Sequence, residues 1–281
     1  MAIQLIPAAL AITAPCVVFA LRRESMYFRR AYRFQKRFPG APCRAQIRGR
    51  FAGRCREPSG TVGPASRAGP TAESVLMLET GVGADAMEAA LRWCLSGPCC
   101  GDVPYRPRFV LSVGFSGALQ PEQRVGDLVL ASEVVDTEGN TWPTFCPEAL
   151  ADRNLPAGRV LTMPELVGDP HEKQRLGKQY QAVAVDMESA VAARLCAQHQ
   201  VPFACLRVIS DDWETSLSSH LIDLLRQGRV SIPRLAAKVL RHPKLIGELW
   251  RLASQTRLAA RLLAEPLAAV FFSGDWAGDG G

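Results

Sequence analysis

Six short apolar runs dictate what this chain can fold into: residues 16–21, 75–78, 109–113, 127–135, 182–185 and 203–209. Each is too short for a helix, is rich in branched apolar residues, and reads as a strand buried on both faces. Helical patterns follow several of them, at 84–94 after the second run and at 187–199 after the fifth. Strands alternating with helices imply a layered α/β fold with a largely parallel sheet. In open sheets of this kind, ligands sit beyond the carboxyl ends of the strands. Those ends carry Glu24, Gly81 and Gly83, Gly114 with Ser116 and Gly117, Asp186 with Glu188, and Ser210 with Asp211. Carboxylates and glycine turns thus gather on one rim.

The rest of the chain divides around this core. Residues 1–15 read as a ragged leader; they lack a basic stretch at their start, and Pro7 and Pro15 interrupt them, unlike a signal peptide. A helical segment runs on to about residue 38, and residues 39–72 form a Gly-, Pro- and Arg-rich loop or weak hairpin. The catalytic unit is expected over 16–220. Residues 221–264 read as two or three basic amphipathic helices broken at Pro233 and Pro243, and 265–281 as a frayed tail.

Composition removes several function classes. Hydrophobic residues make up 48% of the 281 and charged residues 21%, which excludes a disordered or collagen-like chain. No uninterrupted apolar stretch reaches the length of a membrane span. The basic residues cluster in two flanks, twelve in 22–56 and nine in 226–261, the latter opposed only by Glu248. Such flanks are either solvated faces or contacts to an anionic surface. Aromatics, at 7%, are too few and scattered for a base-stacking platform, and no groove-reading motif is present, so no nucleic-acid partner is expected. Nine cysteines form no CxxC and no Cys/His set at zinc spacing, which points to a reducing, cytoplasmic compartment and to no metal site. The glycine turn at 81–83 lacks the third glycine of a dinucleotide loop and is followed by no phosphate-loop lysine. It reads instead as a strand-to-helix turn whose backbone N–H groups can hold an anion or a sugar hydroxyl.

Three further stretches occur in order: SVGFSGAL at 112–119 leading into RVGDLVLA at 124–131, then AVDMESA at 184–190, then LRVISD at 206–211. Together, over about residues 16–215, they resemble the purine nucleoside phosphorylase and nucleosidase superfamily, of the type that includes methylthioadenosine/S-adenosylhomocysteine nucleosidase. The Arg/Leu-rich C-terminal part looks most like the hopanoid-associated phosphorylase group. The resemblance implies a three-layer α/β/α sandwich around a twisted mixed sheet, with a helical C-terminal extension, and cleavage of an N-glycosidic bond without a cofactor. It implies roles residue by residue. Asp211 matches the acid that protonates the leaving purine at N7. Glu24 matches the carboxylate that orients the attacking water. Glu188 matches the residue that binds the ribose hydroxyls, with Met187 packing beneath the sugar. Phe115, Ser116 and Gly117 match the turn flanking ribose and base, and Ser210 stands beside the acid. Leu166 and Val167 fall where the nucleosidases place an aromatic and a backbone contact to the base. Relatives of this kind assemble as homo-oligomers.

The chemistry of the bond supports these roles independently. Positive charge grows on the sugar as the C–N bond breaks, so a carboxylate near the ribose gains strength in the transition state. The leaving base must be protonated, and a buried carboxylic acid can do it. A phosphorylase needs a cationic anchor for its phosphate co-substrate. Where phosphorylases of this superfamily carry an Arg, this chain has Ser112, although Arg22 and Arg23 lie beside Glu24. Hydrolysis of an adenosyl-type nucleoside is therefore favoured, with phosphorolysis, or methylthioadenosine/S-adenosylhomocysteine hydrolysis, as the alternative. A non-catalytic nucleoside sensor is the alternative of another class. The basic C-terminal helices extend the reading to an adenosyl-hopanoid lipid substrate and to peripheral contact with the inner membrane face.

Overall fold

The computed structural model describes residues 12–32, 34, 36–38, 40–48, 74–100, 103–217 and 244–271. Its strands are β1 (Ile12–Phe19), β2 (Lys36–Arg37), β3 (Arg44–Arg48), β4 (Val75–Glu79), β5 (Cys99–Cys100), β6 (Val103–Ala118), β7 (Leu128–Val135), β8 (Thr141–Pro143), β9 (Ala157–Thr162), β10 (Ala182–Asp186) and β11 (Phe203–Asp211). Its helices are α1 (Met26–Tyr32), α2 (Ala84–Leu95), α3 (Glu148–Ala151), α4 (Pro170–Tyr180), α5 (Ser189–Gln198), α6 (Lys244–Leu262) and α7 (Ala264–Phe271).

The main sheet runs in the order β10-β9-β7-β11-β6-β1-β4-β3-β2. Its centre is parallel, with β6 flanked by β1 and β11. Antiparallel pairs β11–β7, β3–β4 and β2–β3 make it mixed. The long β6 also meets β10 at its far end, antiparallel, through Ala184 with Ala118 and Val185 with Gly117. The sheet therefore curls back on itself, and the last residues of β6 lie between β10 and β11.

Side chains alternate between the two faces with the period of two that a strand imposes. Val17 and Phe19 of β1, Met77 of β4, Leu111 and Val113 of β6, and Leu206 and Val208 of β11 pack with Phe28, Tyr32, Leu263, Leu267 and Phe271 from α1, α7 and the end of α6. Cys16, Val18, Leu76, Leu78, Val110, Cys205 and Ile209 face the other way, onto Met87, Leu91 and Cys94 of α2 and Ala192 and Cys196 of α5. Helices cover both faces, which is the α/β/α sandwich. Each fully buried Leu, Val or Phe contributes about 1.5–3 kcal/mol relative to exposure.

Three expectations need correction. β1 begins at Ile12, inside the stretch read as a leader, because Ala14 is needed to fill the core beside β6. Of the stretch read as loop or weak hairpin, residues 44–48 take the hairpin form: they pair antiparallel with β2 and with β4, and bury Ala45 and Ile47. The tail read as frayed from 265 contains most of α7, whose Leu267 and Phe271 are buried. The helix expected to reach residue 38 ends at Tyr32. The segment 221–243, read as amphipathic helix, lies outside the described residues. No helix is long and apolar enough to cross a membrane, among the described residues.

Candidate active site

β6 organises the site. Its residues Gly114, Phe115, Ser116 and Gly117 pass between two clusters of polar side chains that are otherwise far apart in the chain.

At the first cluster stands Glu24, in the turn between β1 and α1. Its side chain is buried and accepts from the backbone N–H of Leu21 (2.8 Å) and of Phe115 (2.9 Å). Gly114 is required for this contact, since a Cβ there would lie 2.9 Å from Glu24 Oε1. Burial pushes the Glu24 carboxyl up to about 7, against the pull of the two backbone N–H groups and of Arg207. Glu188 stands at the start of α5 yet makes no cap bond to its own helix. Its Oε1 instead accepts from the backbone N–H of Gly83 (2.7 Å), across to the start of α2. Gly83 has φ 96°, a conformation that glycine supplies without strain. The anion held by that turn is thus a side chain of the protein itself. Burial first, then the negative charge of Asp186, raise the Glu188 carboxyl to about 7; Glu24 adds to the rise.

Arg207 underlies this cluster. It is buried in the middle of β11, and its Nε donates to Asp186 Oδ2 (2.7 Å). Its Nη2 donates to Ser112 (2.8 Å) and Ser189 (2.6 Å). Asp186 is further held by Thr162 Oγ1 (2.8 Å) and by the Ser189 hydroxyl. Its guanidinium lies 3.5 Å from where a Cβ on Gly114 would sit.

The second cluster surrounds Asp211, at the end of β11. A register shift between Ile209 and Asp211 sets Asp211 opposite Gly117. A Cβ on Gly117 would lie 3.0 Å from Asp211 Oδ2. Ser210 Oγ lies 2.9 Å from Asp211 Oδ1 and 3.2 Å from the Ser116 carbonyl. Lys173 of α4 donates to Asp211 Oδ2 at 2.5 Å. Asp212 turns away and accepts from the Thr215 hydroxyl, as a turn cap.

Glu24, Ser210 and Asp211 therefore border the stretch of β6 formed by Gly114, Phe115, Ser116 and Gly117, and Glu188, held at Gly83, is coupled to it through the charges of Glu24 and Arg207. Gly114 and Gly117 are three residues apart on β6, about 10 Å along an extended strand. Met187 is half-buried between Asp186 and Glu188. Val167 lies in a separate apolar cluster with Leu119, Leu161, Leu176 and Val185, and reaches Gly117 only through Val185. Leu166 is half-buried beside it. Sequence reasoning singled out neither Arg207 nor Lys173. A charged residue inside the apolar run 203–209 was the available signal for the first. Among the described residues, no group of His, Cys, Asp and Glu is placed to hold a metal ion.

Comparison with known proteins places this arrangement in a family. The model of the phosphorylase superfamily matches residues 65–241, a span that includes Glu188 and Asp211 but begins after Glu24. The 5′-methylthioadenosine/S-adenosylhomocysteine nucleosidase of Bacillus cytotoxicus is 27% identical over 166 residues, 50% of this chain and 72% of that protein. The enzyme of the same name from Geobacillus kaustophilus is 29% identical over 133 residues, and there the match covers 38% of this chain and only 57% of the relative. Among solved structures, that nucleosidase from Neisseria meningitidis, in complex with methylthio-immucillin-A, superposes with a TM-score of 0.62 at 18% identity, over 93% of this chain and 99% of that one, a likeness of fold. The chain belongs to the phosphorylase superfamily and is an enzyme of its nucleoside-cleaving kind.

Proposed function

We propose that the protein hydrolyses the N-glycosidic bond of an adenine nucleoside. One observation carries this reading: the buried carboxylates of Glu24 and Asp211 lie against Gly114–Phe115 and Gly117 of the same strand end, and the buried Glu188 is coupled electrostatically to Glu24. Glu24, brought to about 7 by burial, serves as the base that takes a proton from water attacking C1′. Glu188 holds the ribose hydroxyls and stabilises the positive charge that develops on the ring. Asp211 delivers the proton to N7 of the leaving base. Ser116, Gly117, Met187 and Ser210 shape the walls around sugar and base, with Val167 supporting them from behind.

Water is favoured over phosphate because the arginines near Glu24 are engaged elsewhere. Arg29, Arg44 and Arg22 lie 2.8, 3.4 and 3.8 Å from Glu79. Arg23 donates to Thr256 (3.2 Å), and Arg207 to Asp186. A phosphate dianion beside Glu24 would meet a carboxylate with, among the described residues, no cation in direct contact. These chemical steps call on side chains and water alone.

The finer reading is an adenosyl group carried on an apolar chain of the hopanoid type. Leu21 and Val82 are 39% and 43% exposed, and they flank the two turns whose backbone holds Glu24 and Glu188. An apolar lip at the sugar side suits a substrate with a hydrocarbon tail. Contact with an anionic membrane through the basic residues of 226–261 would present such a substrate.

Mass-spectrometric detection of free adenine tests both levels. Methylthioadenosine, S-adenosylhomocysteine, adenosine and an adenosyl lipid are incubated with the protein, with and without phosphate. The expected result is adenine and free sugar without phosphate, with the lipid-linked compound turned over fastest. A strict phosphate requirement with a sugar 1-phosphate product overturns hydrolysis, and no adenine from any compound overturns the reading.

A further inference from the structure

Lys173 is fully buried in the first turn of α4. A cation there opposes the helix dipole, and a buried ammonium is costly unless paired. The helix has no use for it, since Asp169 and Pro170 already cap and start α4. Its three N–H groups all point at the end of β11 and the turn beyond: Asp211 Oδ2 at 2.5 Å, the Asp212 carbonyl at 2.8 Å and the Thr215 carbonyl at 3.5 Å. The helix is pressed into this position by Gly177, where a Cβ would lie 2.4 Å from the Leu119 carbonyl.

We propose that Lys173 is the positioning residue of the acid, a role that rests on the assignment of Asp211 above. By occupying Oδ2, it leaves Oδ1 as the oxygen that carries the transferable proton. The surroundings of Oδ1 accommodate that proton. The Ser210 hydroxyl has one hydrogen to share between Asp211 Oδ1 and the Ser116 carbonyl. When it goes to Ser116, the Ser210 oxygen accepts from a protonated Oδ1. As the C1′–N9 bond breaks and its electron pair moves onto the base, the Oδ1–H bond breaks and an N7–H bond forms. Asp211 is left as a carboxylate, and the Lys173 ammonium balances the charge that appears. A buried cation aimed at charge that develops only during the reaction lowers the barrier without first having to reorient.

The test compares Lys173→Met and Lys173→Arg with the wild type on purine ribosides whose leaving bases differ in basicity, under single-turnover conditions. If Lys173 acts through the acid, Lys173→Met lowers the cleavage rate of the adenine nucleoside by about 100-fold, within the range of general acid catalysis. The loss shrinks as the leaving base becomes less basic, while KM stays within about threefold of wild type. Lys173→Arg, which keeps the buried charge, recovers at least about a tenth of the wild-type rate. A loss equal for all leaving groups, wild-type rates in Lys173→Met, or an Arg variant that folds and does no better than Met, overturns the proposal. Asp211→Asn is measured alongside: wild-type adenine release there defeats the assignment of the acid itself, whereas a loss in Asp211→Asn with none in Lys173→Met defeats only the role of Lys173.

Discussion

The two ends of the β6 stretch hold their carboxylates by opposite means. At the Gly114 end, Glu24 receives two backbone N–H bonds and, among the described residues, no direct cation; at the Gly117 end, Asp211 receives a buried lysine. Burial without a salt bridge leaves Glu24 and its neighbour Glu188 poised near neutral pH. The charge of Lys173 instead compensates Asp211 as it ionises. On the proposed roles, one buried region holds both the base and the acid, and their contacts differ while their burial does not.

The contrast can be broken most severely at Arg207. It is the buried cation under the Glu24 end only, paired with Asp186, and both side chains are nearly inaccessible. Arg207→Met leaves Asp186 uncompensated and is expected to cost about 3–5 kcal/mol, read as a lower urea midpoint. The expected cost exceeds that of Lys173→Met, because the Asp186 side chain is 1% exposed and that of Asp211 11%, so water relieves Asp211 more readily.

Glu24→Gln removes the base and should lower adenine release by about 100-fold or more, with substrate binding retained by calorimetry. Gly114→Ala should produce a similar loss by a different route, pushing the carboxylate off the Phe115 N–H. If Gly114→Ala is fully active, the stated seat of Glu24 is incorrect.

The pH dependence sharpens the same difference. Glu24 rises from 4.5 in the unfolded chain to about 7 when folded, so the native state binds its proton more tightly. Stability is then greatest below pH 4.5 as far as this group is concerned, falls as pH rises through 7, and levels above. The contribution of Glu24 is of order 3 kcal/mol between those limits. Thermal melts across pH 5–8 should show this decline, and Glu24→Gln should roughly halve it, leaving the share of Glu188, whose carboxyl is also raised to about 7. The rate, by contrast, climbs with pH through about 7, since the base works ionised. Opposite slopes for stability and activity are the signature; parallel slopes would remove Glu24 from the mechanism. The smallest effect is expected at Gly83, where alanine must adopt a φ of 96°, at a cost of order 1–3 kcal/mol, with a weakened hold on Glu188.

Much of this architecture was legible. All six apolar runs became strands, since a run buried on both faces has few other uses. The strand ends collected Glu24, Glu188 and Asp211, because such sheets expose their ligand edge where strands stop. What escaped reading did so for physical reasons. β3 is short and its Arg44 and Arg48 flank the few residues it buries, so charge masked the pattern. The segment around α4, HEKQRLGKQY, is so polar that Lys173 reads as solvated. Its burial comes from the tertiary approach of α4 to β6 at Gly177, which no local period encodes. Pro15 reads as the end of the leader, yet the register of β1 against β6 shifts between Ala14 and Cys16 and lets the strand continue past it.

The central claim is that Glu24, Glu188 and Asp211 serve one nucleoside. A crystal structure with a non-cleavable adenine nucleoside analogue tests it most directly. The account predicts the ribose between Glu24 and Glu188, and N7 of the base within hydrogen-bond reach of Asp211 Oδ1. A base bound away from Asp211, or a sugar that touches neither glutamate, would contradict it.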